Sequence, residues 1–149
     1  MLLLGNVQHA LDDKNRIRLP AKYREKLGNE YILMPGSAGC IYVYPSEAEE
    51  KFVRVVEEIS ELDPEHAEWI RSLTEFAAVV EADTQGRFML PPDLIKIADI
   101  KKDIRIIGTI NKVEIWSEER YQQRLENKKQ SGETYDDLYT KFHQAMSKK

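Results

Sequence analysis

The chain has 149 residues, a formal net charge of −4, 42% hydrophobic residues and 32% charged residues. That is roughly the size of one domain of about 150 residues, and the composition excludes a wholly disordered chain. Counted over the whole chain, 26 acidic against 22 basic residues speak against a nucleic-acid binder, which usually carries a basic footprint. Cys40 is the single cysteine, so no intrachain disulfide can form and a reducing compartment is favoured. The apolar start, Met1-Leu2-Leu3-Leu4, stops at Gly5-Asn6 and is too short for a signal-peptide core. The longest other apolar stretch, at 76–80, falls far short of the roughly 20 residues that span a bilayer. A cytoplasmic protein is expected.

In chain order, Val7, His9 and Leu11 alternate with polar or small residues, as in a half-buried strand. A polar turn at 12–15 follows, and residues 16–19 alternate again with Ile17 and Leu19 on one face. Pro20 suits the first position of a helix, Tyr23 and Leu27 share one face of it, and Gly28 suits a left-handed stop. Residues 31–34 and 40–44 read as a hairpin across Pro35-Gly36. Ser46-x-x-Glu49 reads as a capping box, with Phe52, Val55, Val56 and Ile59 following at helical spacing. Asp63-Pro64 opens another helix through Trp69, Ile70 and Leu73. Strands are then expected at 77–82 and 87–90 around a turn at 83–86, a short helix from Pro91 or Pro92, and strands at 104–107 and 112–116. Ser117 is expected to cap a helix carrying Glu118 and Glu119 in its first turn, broken by Gln130-Ser131-Gly132. Thr134 starts a last helix with Tyr135, Leu138, Phe142 and Ala145 along one stripe.

The chain repeats itself. Asp12-Asp13-Lys14-Asn15-Arg16-Ile17-Arg18-Leu19-Pro20 aligns with Asp83-Thr84-Gln85-Gly86-Arg87-Phe88-Met89-Leu90-Pro91 at an offset of 71. At an offset of 72, Ile32-Leu33-Met34 meets Ile104-Arg105-Ile106, Gly36 meets Gly108, and Ile41-Tyr42-Val43-Tyr44 meets Val113-Glu114-Ile115-Trp116. Each copy reads as strand, turn, strand, short helix, strand, turn, strand. A unit of roughly 40 residues buries too little to be stable alone, so two copies are expected to share one core across a pseudo-two-fold.

No catalytic constellation has the right spacing. His9, His66 and His143 are far apart and form no metal-ligand pattern, and core or surface packing is the expected role of His9. Cys40 reads as a buried, inert thiol on a strand. There is no Gly-rich phosphate loop, and the Glu49-Glu50 and Glu57-Glu58 pairs read as solvated helix faces. No enzyme, metal, cofactor or small-molecule substrate is expected.

The two turns stand out. Residues 12–26 carry a net charge of +3, whereas residues 47–68 carry −7, so the acidic total is largely one helical segment. Asp12 and Asp83 are assigned a turn-stabilising role, since an aspartate accepts backbone N–H groups two residues on. Asp-x-x-x-Arg can be no more than a turn with an internal ion pair. Recurrence of the same arginine at the same place in both copies instead favours Arg16 and Arg87 as DNA-binding residues. Lys14 and Arg18 join them, because such side chains fork onto guanine or clamp phosphate.

These residues, with Gly5, Ala21-Lys22-Tyr23-Arg24, Gly39-Cys40-Ile41-Tyr42-Val43-Tyr44-Pro45, Ile107-Gly108 and Glu114-Ile115-Trp116-Ser117, resemble the MraZ family over most of residues 1–121. The resemblance implies an α+β fold: two tandem swapped-hairpin AbrB-like units forming one pseudo-two-fold β-barrel flanked by helices. It places a first DNA-binding unit at 5–47, connecting helices at 48–75, a second unit at 76–119 and C-terminal helices at 120–149. It further implies a sequence-specific DNA-binding transcriptional repressor of the division and cell-wall gene cluster. Such a regulator acts at the nucleoid as a ring-shaped homo-oligomer on repeated boxes in its own promoter. The family's Asp-x-x-x-Arg maps onto Asp12/Arg16 and Asp83/Arg87, both complete. Copy two has Thr84, Gln85 and Met89 where copy one has Asp13, Lys14 and Arg18, so copy one is expected to supply more phosphate contact and Arg87 to act more alone. Two alternatives stand beside this. One is a scaffold ring binding an acidic protein partner. The other is an antitoxin with a single AbrB-type unit, against which the tandem copy speaks.

Overall fold

The computed structural model describes residues 1–59 and 62–148. Two residues of the expected connecting stretch, 60 and 61, lie outside that description. The chain divides into two compact units, Met1–Glu118 and Glu119–Lys149.

In the first unit each copy yields the expected elements. Copy one comprises β1 (Asn6–Ala10), β2 (Arg16–Arg18), α1 (Ala21–Leu27), β3 (Glu30–Pro35) and β4 (Ile41–Pro45). Helices α2 (Glu49–Glu58) and α3 (Pro64–Thr74) follow. Copy two comprises β5 (Ala78–Glu81), β6 (Arg87–Met89), α4 (Pro92–Ile97), β7 (Asp103–Gly108) and β8 (Val113–Ser117).

Pairing between copies makes this one structure. The large sheet is antiparallel throughout, in the order β1-β7-β8-β4-β3-β5. The first strand of each copy therefore lies against the third strand of the other, which is the swapped arrangement. β2 pairs with β6 in a separate two-stranded ribbon. The pseudo-two-fold runs through two places where equivalent residues face each other: Ile17 opposite Phe88 in the ribbon, and Tyr42 opposite Glu114 in the sheet. One apolar core draws on both sheets and both short helices, including Ile17, Leu19, Tyr23, Leu33, Phe88 and Leu94. Neither copy could close it alone, because half of its wall belongs to the other copy.

Register corrects the alignment of the third strands. Val7 faces Ile106 and Ala78 faces Leu33, while Leu33 faces Val43 and Ile106 faces Ile115. Leu33 is therefore equivalent to Ile106, an offset of 73, and Gly36 is not the counterpart of Gly108. At the offset of 72, buried Leu33 would match partly exposed Arg105. A slip of one residue turns every side chain to the other face of a strand, so burial decides between the two. Gly108 has its own reason to lack a side chain: a Cβ there would lie 2.6 Å from the carbonyl carbon of Leu3. The N-terminal segment passes at that spot, with Leu3 and Ile110 exchanging backbone hydrogen bonds of 2.9 and 2.8 Å.

Several local expectations change in detail. Pro20 precedes α1 as its cap residue, and Gly28 ends α1 at φ +80°, ψ −150°, outside the left-handed helical region. Ser46 forms no capping box. It lies in a 3-10 turn (Ser46–Ala48) that runs directly into α2, so its backbone is already helical and its hydroxyl makes no cap bond. Phe52 of α2 sets its ring 4.8 Å from that of Tyr44, edge to face, which ties the helix to β4. α3 starts as read, with Asp63 accepting from Glu65 N at 2.8 Å and Pro64 in the first turn. His9 is exposed on β1, the surface placement of the two expected for it.

The second unit is helical, holding all but the first residue of α5 (Glu118–Ser131) and then α6 (Tyr135–Ser147). Gly132 at φ +69° separates the two helices. Thr134 opens α6 with a reciprocal capping box, accepting from Asp137 N while Asp137 accepts from Thr134 N. Most of the expected apolar stripe of α6 is exposed, Tyr135 by 75% and Phe142 by 68%, with Leu138 half-buried. Among the described residues no helix is long and apolar enough to cross a membrane.

Candidate nucleic-acid interface

The two polar turns fold alike because each aspartate organises its own loop. Asp12 Oδ1 accepts from Lys14 N at 2.9 Å and Arg16 N at 2.8 Å, and Asp12 Oδ2 accepts from Arg16 Nε at 2.8 Å. Asp83 Oδ1 accepts from Gln85 N at 2.8 Å and Arg87 N at 2.9 Å, and Asp83 Oδ2 accepts from Arg87 Nε at 3.2 Å. Backbone bonds close both loops: Asp12 N to Arg16 O, Asn15 N to Asp12 O, and their equivalents Asp83 N to Arg87 O and Gly86 N to Asp83 O. The residue before each arginine must take positive φ, +58° at Asn15 and +80° at Gly86, and Asn and Gly are the residues that do so at least cost. The backbone N–H of Arg16 is the main cause holding the Asp12 carboxyl below its ordinary value, and that of Arg87 does the same for Asp83.

Each aspartate thus makes both the turn bonds and an ion pair with its arginine, and the pairing leaves part of each guanidinium unengaged. Each carboxylate engages only Nε. Among the described residues the outer nitrogens of Arg16 and Arg87 have no acceptor. The carboxylate fixes the guanidinium at Nε, and the partly exposed side chains, 28% for Arg16 and 31% for Arg87, keep their outer nitrogens for another partner. A head held in this way loses less entropy when it meets an anion.

The ribbon gathers these residues on one face. Strand side chains alternate, so Ile17 and Phe88 point into the core, 1% and 3% exposed, while Arg16, Arg18, Arg87 and Met89 share the other face. Arg16 stands opposite Met89 and Arg18 opposite Arg87. Arg16 and Arg87 are diagonal neighbours across the ribbon, a separation of about 7–8 Å. Lys14 lies exposed at the tip of the first turn.

This placement overturns the expectation that Arg87 acts more alone. Arg18 belongs to copy one in the sequence, yet it sits beside the turn of copy two. Arg24, on α1, comes there as well: a Cβ on Gly86 would lie 3.2 Å from Arg24 Nη1 and 3.5 Å from Arg18 Nε. Sequence reasoning did not single out Arg24. Its copy-two counterpart at the offset of 71 is Ile95, so the repeat carries no signal for it.

Other candidate chemistry is thin. Cys40 is buried, and burial pushes its thiol up to about 12. Among the described residues no group of three or more His, Cys, Asp or Glu is placed to hold a metal ion.

Comparison with known proteins bears on this geometry. A family model described as "MraZ protein, putative antitoxin-like" matches residues 2–70 and 74–143, one match for each copy. A protein of Clostridium beijerinckii named "Transcriptional regulator MraZ" is 40% identical over 130 residues, covering 85% of this chain and 89% of the relative. Proteins of the same name from Finegoldia magna and Syntrophomonas wolfei are each 35% identical, covering 92% and 89% of this chain and 94% and 92% of their own lengths.

Proposed function

The chain belongs to the MraZ family, and from that membership and the two arginine turns we propose that it is a sequence-specific DNA-binding transcriptional regulator. Its target is the division and cell-wall gene cluster, where it acts as a repressor on repeated boxes in its own promoter. Residues 5–47 and 76–119 are the two DNA-binding units, joined by helices over 48–75 and followed by C-terminal helices over 120–149. The chain assembles with copies of itself into a ring and works in the cytoplasm, at the nucleoid.

The observation that carries the reading is the outward face of the β2–β6 ribbon. It holds Arg16, Arg18 and Arg87 together, with Lys14 beside them, on a base fixed by two carboxylate-ordered turns. A two-stranded ribbon fits the major groove of B-form DNA, where arginine forks onto guanine O6 and N7 or pairs with phosphate. The total charge of −4 does not oppose this, since the acidic excess lies in residues 47–68. A handful of basic contacts per chain binds weakly. A ring of chains on repeated boxes multiplies the affinity through effective concentration.

A gel shift on the DNA upstream of its own gene tests the reading. Replacing Arg16 and Arg87 together with Ala is expected to abolish the specific shift at moderate salt while the purified protein keeps its wild-type circular dichroism. Unaltered binding by the folded double variant would overturn the site, whereas no shift by the wild type at low salt would favour the scaffold reading.

A further inference from the structure

We propose that Arg24 is a DNA-phosphate contact residue, and that with Arg18 it makes the second turn, around Asp83–Arg87, the stronger of the two anion cradles. The inference rests on the DNA-binding reading and adds to it a residue and a division of labour that reverse the order of basic residues along the chain.

Three observations converge. First, Arg18 and Arg87 face each other directly in the ribbon. Like charges directly opposite one another destabilise a strand pair. The equivalent position on the other side pairs Arg16 with Met89 and has no such conflict. An anion lying over the pair relieves the repulsion. Second, Arg24 is tethered for the same place: its Nε donates to Leu19 O at 2.8 Å, which leaves Nη1 beside Gly86. Among the described residues no carboxylate pairs with Arg24 or Arg18. Third, the turn residue itself gives way. A Cβ at Gly86 would press on Arg24 at 3.2 and 3.3 Å, whereas the first turn carries Asn15 at the matching position. There the counterparts of Arg18 and Arg24 are Met89 and Ile95.

The second cradle therefore collects Arg87 from its own copy and Arg18 and Arg24 from the other. The first has Arg16 and Lys14, with apolar Met89 and Ile95 at the positions matching Arg18 and Arg24. Arg24 approaches backbone and lies off the ribbon's outward face, so it serves phosphate rather than a base edge.

Fluorescence anisotropy of the full chain on promoter DNA and on a scrambled duplex, at four salt concentrations, tests this. Taking one cation off a phosphate lowers the slope of log affinity against log salt by about 0.9 per engaged chain. Arg24→Gln is expected to lower the slope by that amount on both duplexes, since a phosphate is the same partner in every sequence. Arg24→Lys should restore most of the slope. Lys26→Gln, which removes the same charge from the other side of α1, should leave the slope at the wild-type value. A folded Arg24→Gln protein with the wild-type slope, or an equal fall for Lys26→Gln, overturns the inference while promoter binding by the wild type stands. Should Arg24→Gln lose its fold, Arg24→Met, which keeps the aliphatic stem, decides, with the same slope change expected and an unchanged slope refuting. Failure of the wild type to bind either duplex removes the DNA-binding reading and this inference together.

Discussion

Replacing Phe88 with Ala asks whether the outward-facing arginine ribbon is held in place by the residue pair on the pseudo-two-fold. Phe88 is 3% exposed, faces Ile17 across the ribbon, and sets its ring 5.1 Å from that of Tyr31 at an interplanar angle of 59°. A buried Phe→Ala change costs about 3–5 kcal/mol, part transfer and part cavity. Area gives a consistent figure: roughly 150–200 Å² of ring surface at ~25 cal/mol/Å² is about 4–5 kcal/mol. Within that figure, the tilted packing against Tyr31 accounts for ~0.5–1.5 kcal/mol that Ala cannot replace. The expected loss is therefore about 4–5 kcal/mol. At ~4 °C per kcal/mol for a unit of this size, that is about 15–20 °C in the midpoint. Ile17→Ala should cost ~2–5 kcal/mol. The two residues share one cavity, so the double variant should lose less than the sum, with a coupling of ~0.5–3 kcal/mol. Urea unfolding at fixed protein concentration measures all three variants, with buried Trp116 reporting on the first unit. A Phe88→Ala loss below about 1.5 kcal/mol, or strict additivity with Ile17→Ala, would refute the role given to this pair.

Two further predictions concern ionisation. Asp12 and Asp83 titrate below their ordinary 3.8 in the folded protein, chiefly because the Arg16 and Arg87 backbone N–H groups bond the ionised form. Their contribution to stability is then fully present above about pH 4 and fades as pH falls through the lowered folded values. Asn at both positions should flatten that part of the acid-unfolding profile. Carboxyl NMR titration that placed either group at or above 3.8 would contradict the turn geometry. Cys40, with its thiol at about 12, should resist a disulfide reagent at about pH 8 in the native state and react fully in urea. Equal rates in the two states would mean that the thiol is not buried.

Much of the candidate site was legible because its bonds are local. Asp12 and Asp83 reach only two to four residues along the chain, so the repeated Asp-x-x-x-Arg announces the turn geometry directly. The same locality made the Thr134 start of α6 and the Asp63-Pro64 start of α3 readable. Ser46-x-x-Glu49 has the spacing of a capping box, yet it fails because Pro45 closes β4 and the chain enters a 3-10 turn at once. The third strands were misaligned by one residue, since Ile, Leu and Val match equally well at either offset until burial chooses between faces.

By itself the sequence determined the repeat, the two aspartate-ordered turns and the arginines they hold, because these depend on residues a few positions apart. Only the tertiary structure decided which basic residues stand together. Swapped pairing carries β2 of one copy against β6 of the other, and so brings Arg18 and Arg24 to a turn that begins about sixty residues further on. A net charge of −4, or even a charge counted by segment, cannot register that neighbourhood. Side chains far apart in the chain become one electrostatic site only when strands exchange across the pseudo-two-fold.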